Sequence, residues 1–161
     1  MSSQIEIIPT RLLDIDILHR QIDEKKSFSI IDLAEPRIVE SDDELPGDIF
    51  KIVFHTKNFI LQHIDFRDDF LVYPPLDYLD EKHSNTIDIE SLATGWEKVG
   101  GSYFIEPEGE YDDIDFVQLV AMIAEVTNGA ILNINAIWPW SIGLSTPEEL
   151  IAKFMDYRKQ V

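Results

Sequence analysis

Apolar residues change their spacing several times along the chain, and each change marks an element. Gln4 to Ile8, rich in isoleucine, reads as a short strand closed by Pro9. Leu12, Ile15, Leu18 and Ile22 then recur at steps of three and four. That spacing predicts a helix from Arg11 to about Lys25, with Thr10 as its cap and Asp14 and Asp16 facing outward. Ser27 to Leu33 is a β-rich run, and Pro36 breaks the chain just after it. Ile49 to His55 and Phe59 to Phe66 read as two strands joined by a hairpin loop at Thr56-Lys57-Asn58. Phe70 to Tyr73 reads as a third strand stopped by Pro74-Pro75, and Leu76 to Asn85 as a loop or short helix.

The second half is more sharply punctuated. Ile87 to Ala93 suits a short helix with Trp96 just past it, and Gly100-Gly101 leads into a strand from Ser102 to Ile105. A helix from Asp113 or Ile114 to Thr127 carries a broad apolar face of Phe116, Val117, Leu119, Val120, Ile123 and Ala124. Asp112 and Asp113 stand at its N-cap and Asn128-Gly129 at its C-terminal stop. Ala130 to Ile134 is a buried strand. Thr146, Pro147 and Glu149 form the signature of a capping box, and Leu150, Ile151, Phe154 and Met155 give the last helix its apolar face. Several strands in succession favour an α+β fold, with an antiparallel or mixed sheet packed against about three helices. No repeat, long linker or shift in composition divides residues 1–161, so a single domain is expected.

Composition adds a core and a charge. Apolar residues make up 45% of the 161, enough for a packed interior. The formal net charge is −18. Such a surface repels phosphate backbones and anionic membranes and attracts basic proteins and cations, so neither nucleic acid nor membrane is an expected partner. The plainer reading of the same charge is solubility. The absence of cysteine removes disulfides, thiolate zinc sites and cysteine nucleophiles and fits a reducing compartment. No leader-like segment opens the sequence and no stretch approaches the ~20 apolar residues of a membrane helix, so a cytoplasmic location is expected.

Recognisable catalytic patterns are missing. There is no Walker loop, dinucleotide fingerprint or nucleophile elbow, and no catalytic residue or cofactor is assigned. Of the four histidines, His19, His55, His63 and His83, only His55 and His63 fall on adjacent predicted strands, with Asp65 close by. In a tight hairpin they could approach as zinc ligands, but no ligand pair has a recognised spacing, ordinary strand residues are the better account of them, and no metal is assigned. Glu106 to Asp113 has the charge of a calcium loop without its pattern. Asp14-Ile15-Asp16 resembles a metal-binding Asp pair but sits in a helical pattern as two solvated residues.

Two acidic segments and a Trp pair carry the functional expectation. Glu40 to Asp48 holds five acidic residues and Glu106 to Asp115 six, with no basic residue in either. Like charges crowded in a loop repel, and a basic partner would offset that cost. Asp42, Asp43, Glu44, Glu106, Glu108, Glu110, Asp112 and Asp113 are therefore the candidate binding residues. Trp138 and Trp140, flanking Pro139, are candidates for an exposed aromatic anchor or for rings that cover the edge of the core.

The C-terminal half also resembles the small immunity proteins of bacterial toxin systems. The resemblance rests on Phe116 to Ala124, the Thr127-Asn128-Gly129 turn, the strand Ala130-Ile131-Leu132 and a loop with Trp138, about 50 of 161 residues. It implies a cytoplasmic protein that binds and blocks a cognate toxin, often a basic nuclease. The expectation is therefore a non-enzymatic, acidic, immunity-type inhibitor of a basic protein. An enzyme or small-ligand protein of unrecognised type and an acidic DNA mimic stand as alternatives.

Overall fold

The computed structural model describes residues 5–24, 37–40, 48–54, 57–65, 87–133 and 137–160. Within them seven strands build one sheet: β1 (Ile5–Ile8), β2 (Arg37–Glu40), β3 (Asp48–Phe54), β4 (Lys57–Asp65), β5 (Gly101–Pro107), β6 (Ala130–Asn133) and β7 (Gly143–Ser145). Four helices accompany it: α1 (Ile15–Glu24), α2 (Ile89–Val99), α3 (Ile114–Val126) and α4 (Pro147–Lys159). The strand order is β2-β3-β4-β5-β1-β6-β7, and every neighbouring pair is antiparallel. The fold is α+β with an antiparallel sheet. The N-terminal strand is inserted between two strands that lie about a hundred residues or more further along the chain, so the middle of the sheet is held by long-range pairing.

Side chains alternate across the sheet. Ile5 and Ile7 of β1, Phe59 and Leu61 of β4, and Tyr103 and Ile105 of β5 face the main core, where Leu18 and Ile22 of α1 and Leu150 and Phe154 of α4 meet them. Ten of the thirteen residues of α3 are buried, so this helix is the centre of the layer rather than a surface helix. The opposite face carries a second, smaller core of Ile8, Ala130, Leu132 and Leu144 under Leu92 and Trp96 of α2. No described helix is long and apolar enough to cross a membrane.

Local chemistry explains most boundaries. Thr146 caps α4 by accepting the Glu149 N–H at 3.1 Å, while Glu149 accepts the Thr146 N–H at 3.0 Å. Asp113 caps α3, accepting the Asp115 N–H at 2.8 Å. Past the end of α3, Asn128 adopts φ 48°. Gly129 then passes so close to β1 that a Cβ there would lie 2.1 Å from the Ile8 carbonyl oxygen.

Several expected boundaries move. α1 starts at Ile15, capped by Asp14, whose Oδ1 accepts the Asp16 and Ile17 N–H groups at 3.0 and 3.1 Å. Thr10 is not the cap, because its hydroxyl donates to the Asn128 carbonyl at 2.7 Å. Leu12 consequently precedes the helix and is 61% exposed. α2 runs on through Trp96, which lies on its buried face, to Gly100 at φ 84°. The β3–β4 pairing extends to Phe54↔Lys57, so Lys57 and Asn58 belong to β4 rather than to a loop. β2 and β7 are strands that the hydrophobic pattern does not predict. The expected elements at Ser27–Leu33, Phe70–Tyr73 and Leu76–Asn85 lie outside the described residues.

Candidate functional site

The second acidic segment connects β5 to α3, and it is fixed from both sides. On the β4 side, the Glu108 N–H donates to the Asn58 carbonyl at 3.0 Å, and Asn58 Nδ2 donates to Glu108 Oε2 at 2.9 Å. Lys57 Nζ makes ion pairs with Asp113 at 2.8 Å and Asp115 at 2.6 Å. On the α4 side, Trp138 Nε1 donates to the Tyr111 carbonyl at 2.9 Å. Trp140 Nε1 and the Tyr157 hydroxyl donate to the two oxygens of Asp112, at 3.3 and 3.2 Å.

Those donors stand on a column of rings. Phe116 and Trp138 have centroids 5.7 Å apart, Trp138 and Trp140 5.1 Å, and Trp140 and Tyr157 5.6 Å. The column begins at fully buried Phe116 and ends at partly exposed Tyr157. Stacked and tilted aromatic pairs hold their neighbours in register, so the acidic loop inherits the rigidity of the core.

Charge in the corner is only partly compensated. Burial works against the Lys57 ammonium, but its hydrogen bonds and charge pairing with Asp113 and Asp115 prevail and raise its pKa. Asp115 is buried and needs that cation. Glu108, Glu110 and Asp112 are exposed, and among the described residues none of them makes an ion pair. The nearby Asp112 charge, with some burial and the hydrogen bond, raises the Tyr157 phenol above its usual value. A cleft of about 240 Å³ opens beside these carboxylates, lined by Phe59 and Pro107 as well as Glu108, Glu110 and Asp113.

Glu108, Glu110, Asp112 and Asp113 are thus gathered into one corner, and Trp140 joins them. Glu106 lies within β5, partly buried and paired with Ile60 of β4. Trp138 is not an exposed anchor: it is fully buried and serves as a strut for the loop. Its indole is too well satisfied by Phe116 and the Tyr111 carbonyl to be offered to a partner. Asp42, Asp43 and Glu44 lie outside the described residues.

His63 pairs opposite Asp48, at the far end of β4 from the turn, and its ring packs on Tyr103 at 4.5 Å. His55 lies outside the described residues. No group of three or more metal-ligating side chains occurs among the described residues.

Two functional groups carry no signal in the sequence. Lys57 reads as a turn residue, and its partners lie 56 and 58 positions away. Glu6 reads as the polar face of a strand, yet burial pushes its carboxyl up to about 7 against the opposing effect of the Ser102 hydrogen bond. Comparison of the chain with family models, with curated proteins and with solved structures gave no match.

Proposed function

We propose that this chain is a non-enzymatic binding protein whose acidic corner holds a basic protein, as an immunity-type inhibitor does in the cytoplasm. The observation that carries this reading is the double anchoring of the loop. Exposed Glu108, Glu110 and Asp112 are mounted on a rigid aromatic column and on β4, so little ordering entropy is lost when a partner binds. A flexible acidic loop that merely aids solubility has no need of such a mount.

The partner's side chains are lysine and arginine. Their aliphatic stems suit Pro107 at the cleft, and their charged heads suit Glu108 and Glu110 beside it. Opposed potentials also speed encounter and reject acidic or neutral competitors. A toxin that cuts nucleic acid presents such a surface, because it must bind phosphate.

The test is capture from the source cell with tagged chain as bait, eluted by a salt gradient, beside a Glu108→Lys/Glu110→Lys/Asp112→Lys bait. A basic protein retained by the native chain and lost by the variant is the expected outcome. Retention of the same proteins by both baits would remove the corner from the interface.

A further inference from the structure

Glu6 stands on the central strand β1, on the face that α2 covers. It begins a short buried chain of hydrogen bonds. Trp96 Nε1 donates to Ser102 Oγ at 2.8 Å, and the Ser102 hydroxyl donates to Glu6 Oε2 at 2.7 Å. An indole N–H can only donate, so the hydroxyl proton of Ser102 is directed at the carboxyl group. Ser102 is fully buried and Trp96 nearly so, whereas Glu6 is partly buried and can exchange a proton with water.

Among the described residues, the side chains that flank the carboxyl are largely apolar. Phe104 of β5 and Leu132 of β6 stand opposite Glu6 in the sheet. α2 brings Leu92 and Trp96 to this face, while its charged residues Glu90, Glu97 and Lys98 are exposed. On β5 the next charged residue of the same face is Glu106, paired with Ile60, and β4 places uncharged Gln62 opposite Phe104. Among the described residues the core beneath α2 is small, with six buried side chains, so one ionised group at its border is a large perturbation.

We propose that the Glu6 carboxyl, at the border of the apolar core that α2 covers and tied to Trp96 through Ser102, is a proton-controlled latch: α2 is seated on the sheet while Glu6 is protonated and loosens when Glu6 ionises. The Ser102 bond itself strengthens on ionisation, but the cost of keeping a carboxylate out of water is the larger effect. The raised carboxyl pKa, about 7, places the change near neutrality. Undocking α2 returns the carboxylate to water, where its usual pKa of 4.5 applies, so opening is favoured increasingly as pH rises through that interval. The Gly100-Gly101 junction gives the end of α2 a pivot, Gly100 already lying at φ 84°. This inference is independent of the acidic corner.

The experiment is native-state hydrogen exchange of α2 and α3 amides at about pH 5.5 and about pH 8.5, corrected for intrinsic rates, on the native chain and on Glu6→Gln. Protection of α2 in the native chain should fall roughly tenfold or more beyond any change in α3, since one unit of pKa corresponds to a factor of ten. The variant should show no such extra loss. Parallel behaviour of α2 and α3, or an unchanged pH response in Glu6→Gln, would overturn the latch. If the variant does not fold, the Glu6 carboxyl carbon of the native chain is titrated by NMR. A midpoint near 7 shared by α2 amide shifts supports the latch, and a midpoint near the ordinary value overturns it.

Discussion

Trp140 Nε1 donates to the Asp112 carboxylate at 3.3 Å, joining the loop before β7 to the loop before α3 across 28 residues of sequence. The Tyr157 hydroxyl takes the other oxygen of the same carboxylate. A segment crowded with like charge is thereby given a fixed place. Three elements of the C-terminal half, the loop, the ring column and α4, act together in presenting it.

Trp138 is the strut on which this depends. It is fully buried between Phe116 and Trp140, and it also holds the Tyr111 carbonyl. Trp138→Ala should cost about 3–5 kcal/mol of unfolding free energy, the usual penalty for emptying a large buried aromatic site. Denaturant titration checks this. A loss under about 1 kcal/mol would mean that the ring is not packed as described.

Asp112 should report on its neighbour. Its negative charge raises the Tyr157 phenol, so Asp112→Asn should move that titration down toward the ordinary tyrosine value. Phenolate absorbance against pH tracks the change, with Tyr157→Phe identifying the signal. An unmoved Tyr157 titration would place the two residues apart in solution.

Lys57 compensates a buried charge. Lys57→Met leaves the Asp115 carboxylate without its cation and should destabilise the fold by about 1–3 kcal/mol, less than for a fully buried pair because Lys57 is itself 44% exposed. Adding Asp115→Asn to Lys57→Met should recover part of the loss. A double variant no more stable than Lys57→Met would show that the pairing with Asp115 is not the source.

Glu6 should make stability fall as pH rises. Its folded pKa, about 7, lies above the ordinary 4.5, so the folded state binds more protons than the unfolded state between those values. The neutral carboxyl is tolerated in full below pH 4.5, and the penalty of ionisation grows until pH passes 7. It should reach about 3 kcal/mol. Comparing native and Glu6→Gln proteins by denaturant at about pH 5 and about pH 8 isolates this contribution from the general repulsion of an acidic chain. The difference between the two proteins should change with pH. A constant difference contradicts the shift.

Local chemistry makes much of the fold legible in the sequence. The Thr146, Pro147 and Glu149 box and the Asp113 cap need only neighbouring residues, and the structure forms both. The start of α1 is misplaced from the sequence, which offers Thr10 as the cap; Thr10 is drawn away by its long-range bond with the Asn128 carbonyl, and Asp14, read as an outward helix residue, caps instead. β2 and β7 are too short to show a period and exist through pairing with partners that sequence spacing does not reveal. The acidic loop is visible in the sequence as charge, but its mount is not. The bonds from Lys57, Trp140 and Tyr157 each cross 28 or more positions, and no local pattern records them.

The most direct test of the acidic corner is the association rate of the captured basic partner with native and Glu108→Lys/Glu110→Lys/Asp112→Lys chains, measured across a range of ionic strength. The native rate constant should fall steeply as salt rises, because the attraction acts over about a Debye length, and the variant should associate slowly at every salt concentration. Equal rates for the two chains at low salt, with both folded, would contradict the claim that this corner is the binding surface.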